Sequence, residues 1–92
     1  MARAIYAASR FPRTWKTLHK EQKERVIEII LALPNLLKNP HQHSGFGFRR
    51  LHGTQFYEAR LDLRWRLIMR IGETEIILFD VLNHDQVRRL SK

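Results

Sequence analysis

Apolar side chains at Trp15, Leu18, Val26, Ile27, Ile30, Leu31, Leu33 and Leu37 recur at helical spacing. The pattern predicts helix over residues 14–38, with Thr14 as its N-cap, either as two helices or as one helix bent near residues 20–24. Pro34 is expected to disturb the last turns, and the Asn39–Pro40 step to end them, because a residue before proline is pushed out of helical geometry. Upstream, "RAIYAASRF" alternates weakly and reads as a strand over residues 3–8. Downstream, "HQHSG" reads as a loop.

From Gly45 onward the period changes from 3.6 to 2. "FGFRRL", "FYEARLDL", "WRLIMRI" and "EIILFDVL" read as strands joined by "HGTQ", Arg64 and "GET", connections short enough for successive antiparallel hairpins. In the second run Tyr57, Ala59, Leu61 and Leu63 share one face, while Glu58, Arg60, Asp62 and Arg64 share the other. In the third, Trp65, Leu67, Met69 and Ile71 oppose Arg66, Ile68 and Arg70. The fourth is almost continuously apolar apart from Asp80, which predicts a central position, with the first strand as a candidate neighbour. "HDQVRRL" is compatible with a terminal helical turn. The expected fold is α+β: an N-terminal strand, two helices, and a four-stranded antiparallel meander whose apolar face the helices cover. On this reading the Arg-bearing face stays open, and Trp15, Trp65, Phe46, Phe48 and Phe79 belong to the core.

Ninety-two residues allow one hydrophobic core, so a single domain over residues 1–92 is expected. No apolar run approaches the roughly 20 residues that span a bilayer, and the short N-terminal apolar stretch, broken by Arg10 and followed by Pro12, does not read as a secretory signal. A soluble, cytoplasmic protein is expected. With no cysteine, disulfides, thiolate chemistry and Cys-based zinc sites are excluded. Charge changes the picture more. Seventeen Lys and Arg against nine Asp and Glu give +8, and residues 45–70 hold six Arg against Glu58 and Asp62. Such a field favours a polyanion, or an acidic protein that covers the same surface.

The ordered set of "NP" closing the helical region, "FRRLHG", "FYEARLDLRWRLIMRI" and "VLNHDQVRRL" resembles the RelE/ParE toxin superfamily of prokaryotic toxin–antitoxin systems, over nearly the whole chain. The segment "RWRLIMR…VLNHD" is also similar to the toxin-like segment fused to some UvrD-type helicases. The resemblance implies a type II toxin acting as a metal-independent endoribonuclease (an mRNA interferase), which cleaves ribosome-bound mRNA by attack of a 2′-hydroxyl on the adjacent phosphate, and which an antitoxin holds inactive. It implies no cofactor, and as partners a cognate antitoxin, the ribosome and mRNA, but no membrane. By the same resemblance Arg66 takes the place of the central catalytic Arg, Arg60 that of a basic residue on the preceding strand, and His84 that of the basic or His position after the last strand. The family's Tyr position falls near Arg88. Two further readings on the same fold are a ParE-like inhibitor of DNA gyrase and a catalytically inactive basic binding module.

The chemistry of each residue type stands beside this. Arg66 offers a planar fork for two phosphate oxygens, or else it is a strand residue paired to Glu58 or Asp62. His84, as an imidazole, suits proton transfer, or else it caps the turn beside Asp85. Glu58 is a possible general base, though counter-ion to the Arg face is its better-supported role. Arg49, Arg50, Arg64, Arg70 and Arg88 are candidates for general phosphate contact. His41 and His43 form an H-x-H pair, but without an acidic residue between Lys38 and Gly53 a metal site is not expected. Phe46 or Tyr57 stacking on a base is possible in principle but not indicated.

Overall fold

The computed structural model describes residues 3–39 and 45–90. In order these form β1 (Ala4–Ala7), α1 (Phe11–Thr17), α2 (Lys20–Lys38), β2 (Arg49–Arg50), β3 (Phe56–Arg60), β4 (Trp65–Ile71), β5 (Glu75–Asn83) and α3 (His84–Leu90). The five strands make one sheet in the order β1-β5-β4-β3-β2. The meander is antiparallel throughout, and β1 joins it parallel to β5, with Ala4 opposite Glu75 and Ala7 opposite Leu78. The apolar fifth strand is therefore interior, as its composition predicts. Residues 41–44 of the "HQHSG" loop, with the His41–His43 pair, lie outside the described residues.

Two helices form here, not one bent helix. Leu18 is extended, with ψ 141°, and His19 opens α2. The His19 imidazole Nδ1 accepts from the Gln22 amide at 3.4 Å while the Gln22 side chain accepts from the His19 amide at 3.2 Å, a reciprocal cap. Thr14 is not an N-cap. The first helix starts three residues earlier because Pro12, with φ preset, belongs in its first turn, and the Thr14 hydroxyl donates instead to Asp80 Oδ1 at 2.6 Å. As expected, α2 ends at Lys38, just before Asn39, and Pro34 lies inside it. Its ring is exposed, and the helix runs on to Lys38 because Leu33 and Leu36 on either side of it are buried in the core. The buried stripe of α2 is Gln22, Val26, Ile29, Leu33 and Leu36. Ile27 and Leu31, expected in that stripe, face outward instead, Leu31 being 76% exposed.

Strand parity holds along β3 and β4: Ala59, Leu67 and Met69 pack under α1 and α2, together with Ile29, Leu33, Ile76, Leu78 and Val81. Beyond Arg60 the strand reading fails. Residues 61–64 form the β3–β4 turn, so Asp62 and Arg64 are turn residues; Leu61 still reaches the core, but Leu63 is 94% exposed. Asp62 builds this turn, its Oδ1 accepting from the amides of Arg64 at 2.9 Å and Trp65 at 2.8 Å. A second correction concerns the cationic face. It is not open, because α3 lies across it and packs Val87 against Leu51, Ile68 and Leu82, with Phe56, Phe79 and Leu90 at the margin. Three buried apolar residues of a face read as cationic, Leu51, Ile68 and Leu82, supply the reason: they need cover from water. No described helix is long and apolar enough to cross a membrane.

Burial pushes the Asp62 carboxyl up, but the Arg64 and Trp65 amides, the Gln22 side chain and nearby His19 outweigh it and hold the group below the usual carboxylate range. A group depressed in the folded state stabilises above its unfolded pKa and loses that contribution as pH falls towards the folded value. Between about pH 4 and pH 2 the urea midpoint should therefore fall less steeply for Asp62→Asn than for the unaltered chain. Parallel curves would mean that the turn does not depend on the charge.

Candidate functional site

On the α3 side of the sheet, the open ends of β2, β3 and β4 and the first turns of α3 enclose a hollow of about 280 Å³, lined by Gly47, Arg49, Glu58, Arg60, Arg66, His84 and Arg88 among others. Register explains the gathering. Arg60 and Arg66 are direct cross-strand partners, and Arg49 faces Glu58 on the neighbouring pair. Two like charges opposite each other are unfavourable unless an anion lies between them. Glu58, its side chain 6% exposed, supplies part of that charge: its Oε2 pairs with Arg49 Nε and its Oε1 lies 3.7 Å from Arg66 Nε.

Arg66 is the most constrained cation of the group. Its side chain is 16% exposed, and Nη1 donates to the carbonyls of Asp62 at 3.1 Å and Trp65 at 3.3 Å. Nε lies 3.7 Å from Glu58 Oε1, an ion-pair distance, and no described residue hydrogen-bonds Nη2. A guanidinium anchored through Nη1 in this way presents remaining N–H groups to an anion with little further loss of rotamer freedom. Arg60 is held differently. Its amide donates to Phe46 O at 2.6 Å, and its side chain runs past Gly47, where an added Cβ would lie 3.6 Å from Arg60 Cβ. Gly47 has φ +60°, in the left-handed region that favours glycine, and so turns the chain closely over β3. Arg25 of α2 fastens this arrangement by donating to Arg60 O at 3.1 Å and Gly45 O at 2.8 Å, with its guanidinium 4.4 Å from the Phe46 ring centre.

His84 stands at the rim, exposed, as the first residue of α3. It does not cap the turn. That task falls to Asn83 and Gln86, whose side chains and backbone amides bond reciprocally at 2.9 and 3.0 Å, and no described residue hydrogen-bonds the His84 ring. Arg25 and this second cap were not singled out from sequence, although Asn-x-x-Gln before an amphipathic run is a readable helix-start signal.

The structure thus brings together Arg49, Glu58, Arg60, Arg66, His84 and Arg88, and separates the rest. Arg70 lies beyond α3 and donates to Gln55 Oε1 at 2.9 Å; Arg50, bound to Thr54 O at 2.8 Å, lines a different groove with it. Arg64 sits in the β3–β4 turn. Tyr57 stacks on Phe48 with ring centres 5.4 Å apart, and Phe46 is covered by Arg25, so neither offers a free face in the hollow. Among the described residues no cluster of three or more His, Asp or Glu suited to a metal occurs.

No protein-family model matches the chain, and no curated protein is significantly similar to it. Solved structures are. The chain is 20% identical to a protein of the archaeal RelE–RelB complex from Pyrococcus horikoshii, covering 90% of this chain and 96% of that one at a TM-score of 0.66. It is 19% identical to a copper-bound mutant toxin from Helicobacter pylori, covering 92% and 98% at a TM-score of 0.73. It is 15% identical to a protein of the YoeB–YefM complex from Staphylococcus aureus, covering 91% and 99% at a TM-score of 0.68. The fold is that of the RelE-like toxins.

Proposed function

We propose that this chain, which carries the RelE-like toxin fold, is the toxin of a type II toxin–antitoxin system and a metal-independent endoribonuclease that cleaves ribosome-bound mRNA. The observation that carries the reading is the convergence of Arg49, Arg60, Arg66 and Arg88 with His84 on one small hollow in which Glu58 is the only acid among the described lining residues. That is an anion site whose deepest cation is fixed and whose rim bears an imidazole. In the proposed reaction the 2′-oxygen bonds to the neighbouring phosphorus as the bond to the 5′-oxygen breaks, giving a 2′,3′-cyclic phosphate and a free 5′-hydroxyl. One proton leaves the 2′-hydroxyl and one reaches the 5′-oxygen. Arg66 Nη2 stabilises the negative charge that builds on the phosphoryl oxygens, Arg60 and Arg49 hold the phosphate, and His84 carries one of the two protons. Glu58, engaged by two guanidinium groups, acts as counter-ion and aligns Arg66 rather than serving as base.

Cleavage of mRNA on programmed ribosomes, beside a gyrase supercoiling assay, tests this reading against the ParE-like alternative. Cleavage products with cyclic phosphate ends support it; inhibition of supercoiling without cleavage overturns it. The basic binding module is favoured by one feature, Arg88 at the position where the resemblance calls for Tyr, and absence of both activities would select it. His84→Gln should slow single-turnover cleavage and flatten its pH dependence near neutrality, whereas an unchanged profile would remove His84 from proton transfer. The fold's relatives RelE and YoeB were solved as complexes with RelB and YefM. A cytoplasmic antitoxin with an acidic, helix-forming segment is the corresponding partner here, to be sought by co-purification with the product of the adjacent gene.

A further inference from the structure

The largest hollow is not the phosphate site. On the other side of the same sheet end, a cleft of about 720 Å³ lies between α1, the α1–α2 junction, the β3–β4 turn, the end of β5 and α3. Its chemistry is layered. Arg10 and Arg64, both exposed, stand at the rim; Leu18, Val81 and Leu82 give apolar wall; and Asp80, more than nine-tenths buried, reaches it from β5. One oxygen of Asp80 is occupied, since Oδ1 accepts from Thr14 Oγ1 at 2.6 Å and from the Val81 amide at 2.8 Å. The other is not. No described donor hydrogen-bonds Oδ2, its nearest cation is Arg10 Nη1 at 3.9 Å, and it is not sealed from solvent.

Asp62 also lines the cleft, but both its oxygens accept from Gln22, Arg64 or Trp65. A cationic rim, apolar walls and one carboxylate oxygen without a described donor match the parts of a nucleotide: phosphate outside, ring between, N–H donor inside. Arg66 and Trp65 are consecutive in β4 and so lie on opposite faces of the sheet, Arg66 in the phosphate hollow and Trp65 in the cleft. Likewise His84 lines the hollow and Gln86 the cleft. A strand with one phosphate at Arg66 would reach the cleft by crossing the start of β4 and of α3, where these neighbouring pairs part.

We propose that the cleft is a nucleobase subsite that takes an amino-bearing base (adenine, cytosine or guanine) through Asp80 Oδ2 and disfavours uracil. The exocyclic amino group donates to Oδ2. Uracil sets carbonyl oxygens on both sides of its one imino donor, and these repel the carboxylate. The inference rests on RNA being the ligand of the neighbouring hollow, but not on its cleavage.

The test is binding of 2′-O-methyl hexacytidylate and hexauridylate to the full chain, followed through the amide resonances of Val81 and Gln86 for the cleft and Arg49 and Arg88 for the hollow. Cytidylate should bind about three- to tenfold more tightly, the effect of one hydrogen bond, and should move both sets of signals. Asp80→Asn keeps an acceptor for Thr14 while turning the inner atom into a donor, so the preference should invert towards uridylate. The comparison on the unaltered chain stands alone if that variant does not fold. Equal affinities, or shifts confined to Arg49 and Arg88, would overturn the subsite. So would shifts of Val81 and Gln86 with arginine amide but not with either oligonucleotide, which would make the cleft a receptor for a protein side chain. Because the probes cannot be cleaved, failure of the nuclease reading leaves this result intact, and cleavage on ribosomes with equal binding would reject the subsite alone.

Discussion

Arg66→Ala should lower single-turnover cleavage on programmed ribosomes by a factor on the order of 10² or more, while RNA binding weakens far less. The reason is geometric. Two carbonyls anchor Nη1 and Glu58 lies 3.7 Å from Nε, so on the proposed mechanism the unbonded Nη2 would meet charge that appears only as the phosphorus becomes pentacovalent. Arg66→Lys keeps the charge but loses the fork, and should recover only part of the rate. Removing Arg66 also leaves Glu58 buried with Arg49 as its remaining cation, so thermal unfolding must be recorded beside the kinetics. Arg70, across α3 from the hollow, is the internal control: Arg70→Ala should reduce binding modestly and lower its salt dependence by about one phosphate contact. Equal, small losses at Arg66, Arg70 and His84 would describe a diffuse cationic surface with no catalytic centre.

The second large effect is on stability. Leu33→Ala should cost about 2–5 kcal/mol, since Leu33 is fully buried between α2 and the sheet and its loss leaves a cavity. Leu31→Ala, two residues away on the exposed side, should stay within about 0.5 kcal/mol of zero. Urea unfolding of the two variants reads the helix face directly. Similar losses in both would mean that α2 is rotated from the orientation described.

Much of the architecture was legible because two-residue periodicity in β3 and β4 is unambiguous once one face must be buried. Parity alone located Arg60, Arg66 and Glu58 on a common face, and their pairing follows from it. The face of α2 was harder. Apolar residues occur nearly all round this helix, and only the sheet decides that Ile29 and Leu36 turn inward and Ile27 and Leu31 outward. The end of β3 was misread because "LDL" continues the alternation while Asp62 recruits two backbone amides and ends the strand. Arg70 was grouped with Arg66 by the same parity, and only the docking of α3 between them separates the two. The Asp80 cleft was not legible at all, since five elements distant in sequence contribute its walls and no spacing rule connects them.

The strand order has a consequence for how such a protein is made. β5, an interior strand, is the last of the described strands, and β1, the first, pairs among them only with β5. Long-range pairing of this kind closes late and slowly, because loop-closure entropy is lost before the contacts return it. A nascent chain therefore cannot complete its sheet, and cannot bring His84 and Arg88 to the hollow, until β5 and α3 have both been made. Whatever the hollow binds, it can bind only after the pairing of β1 with β5 is possible.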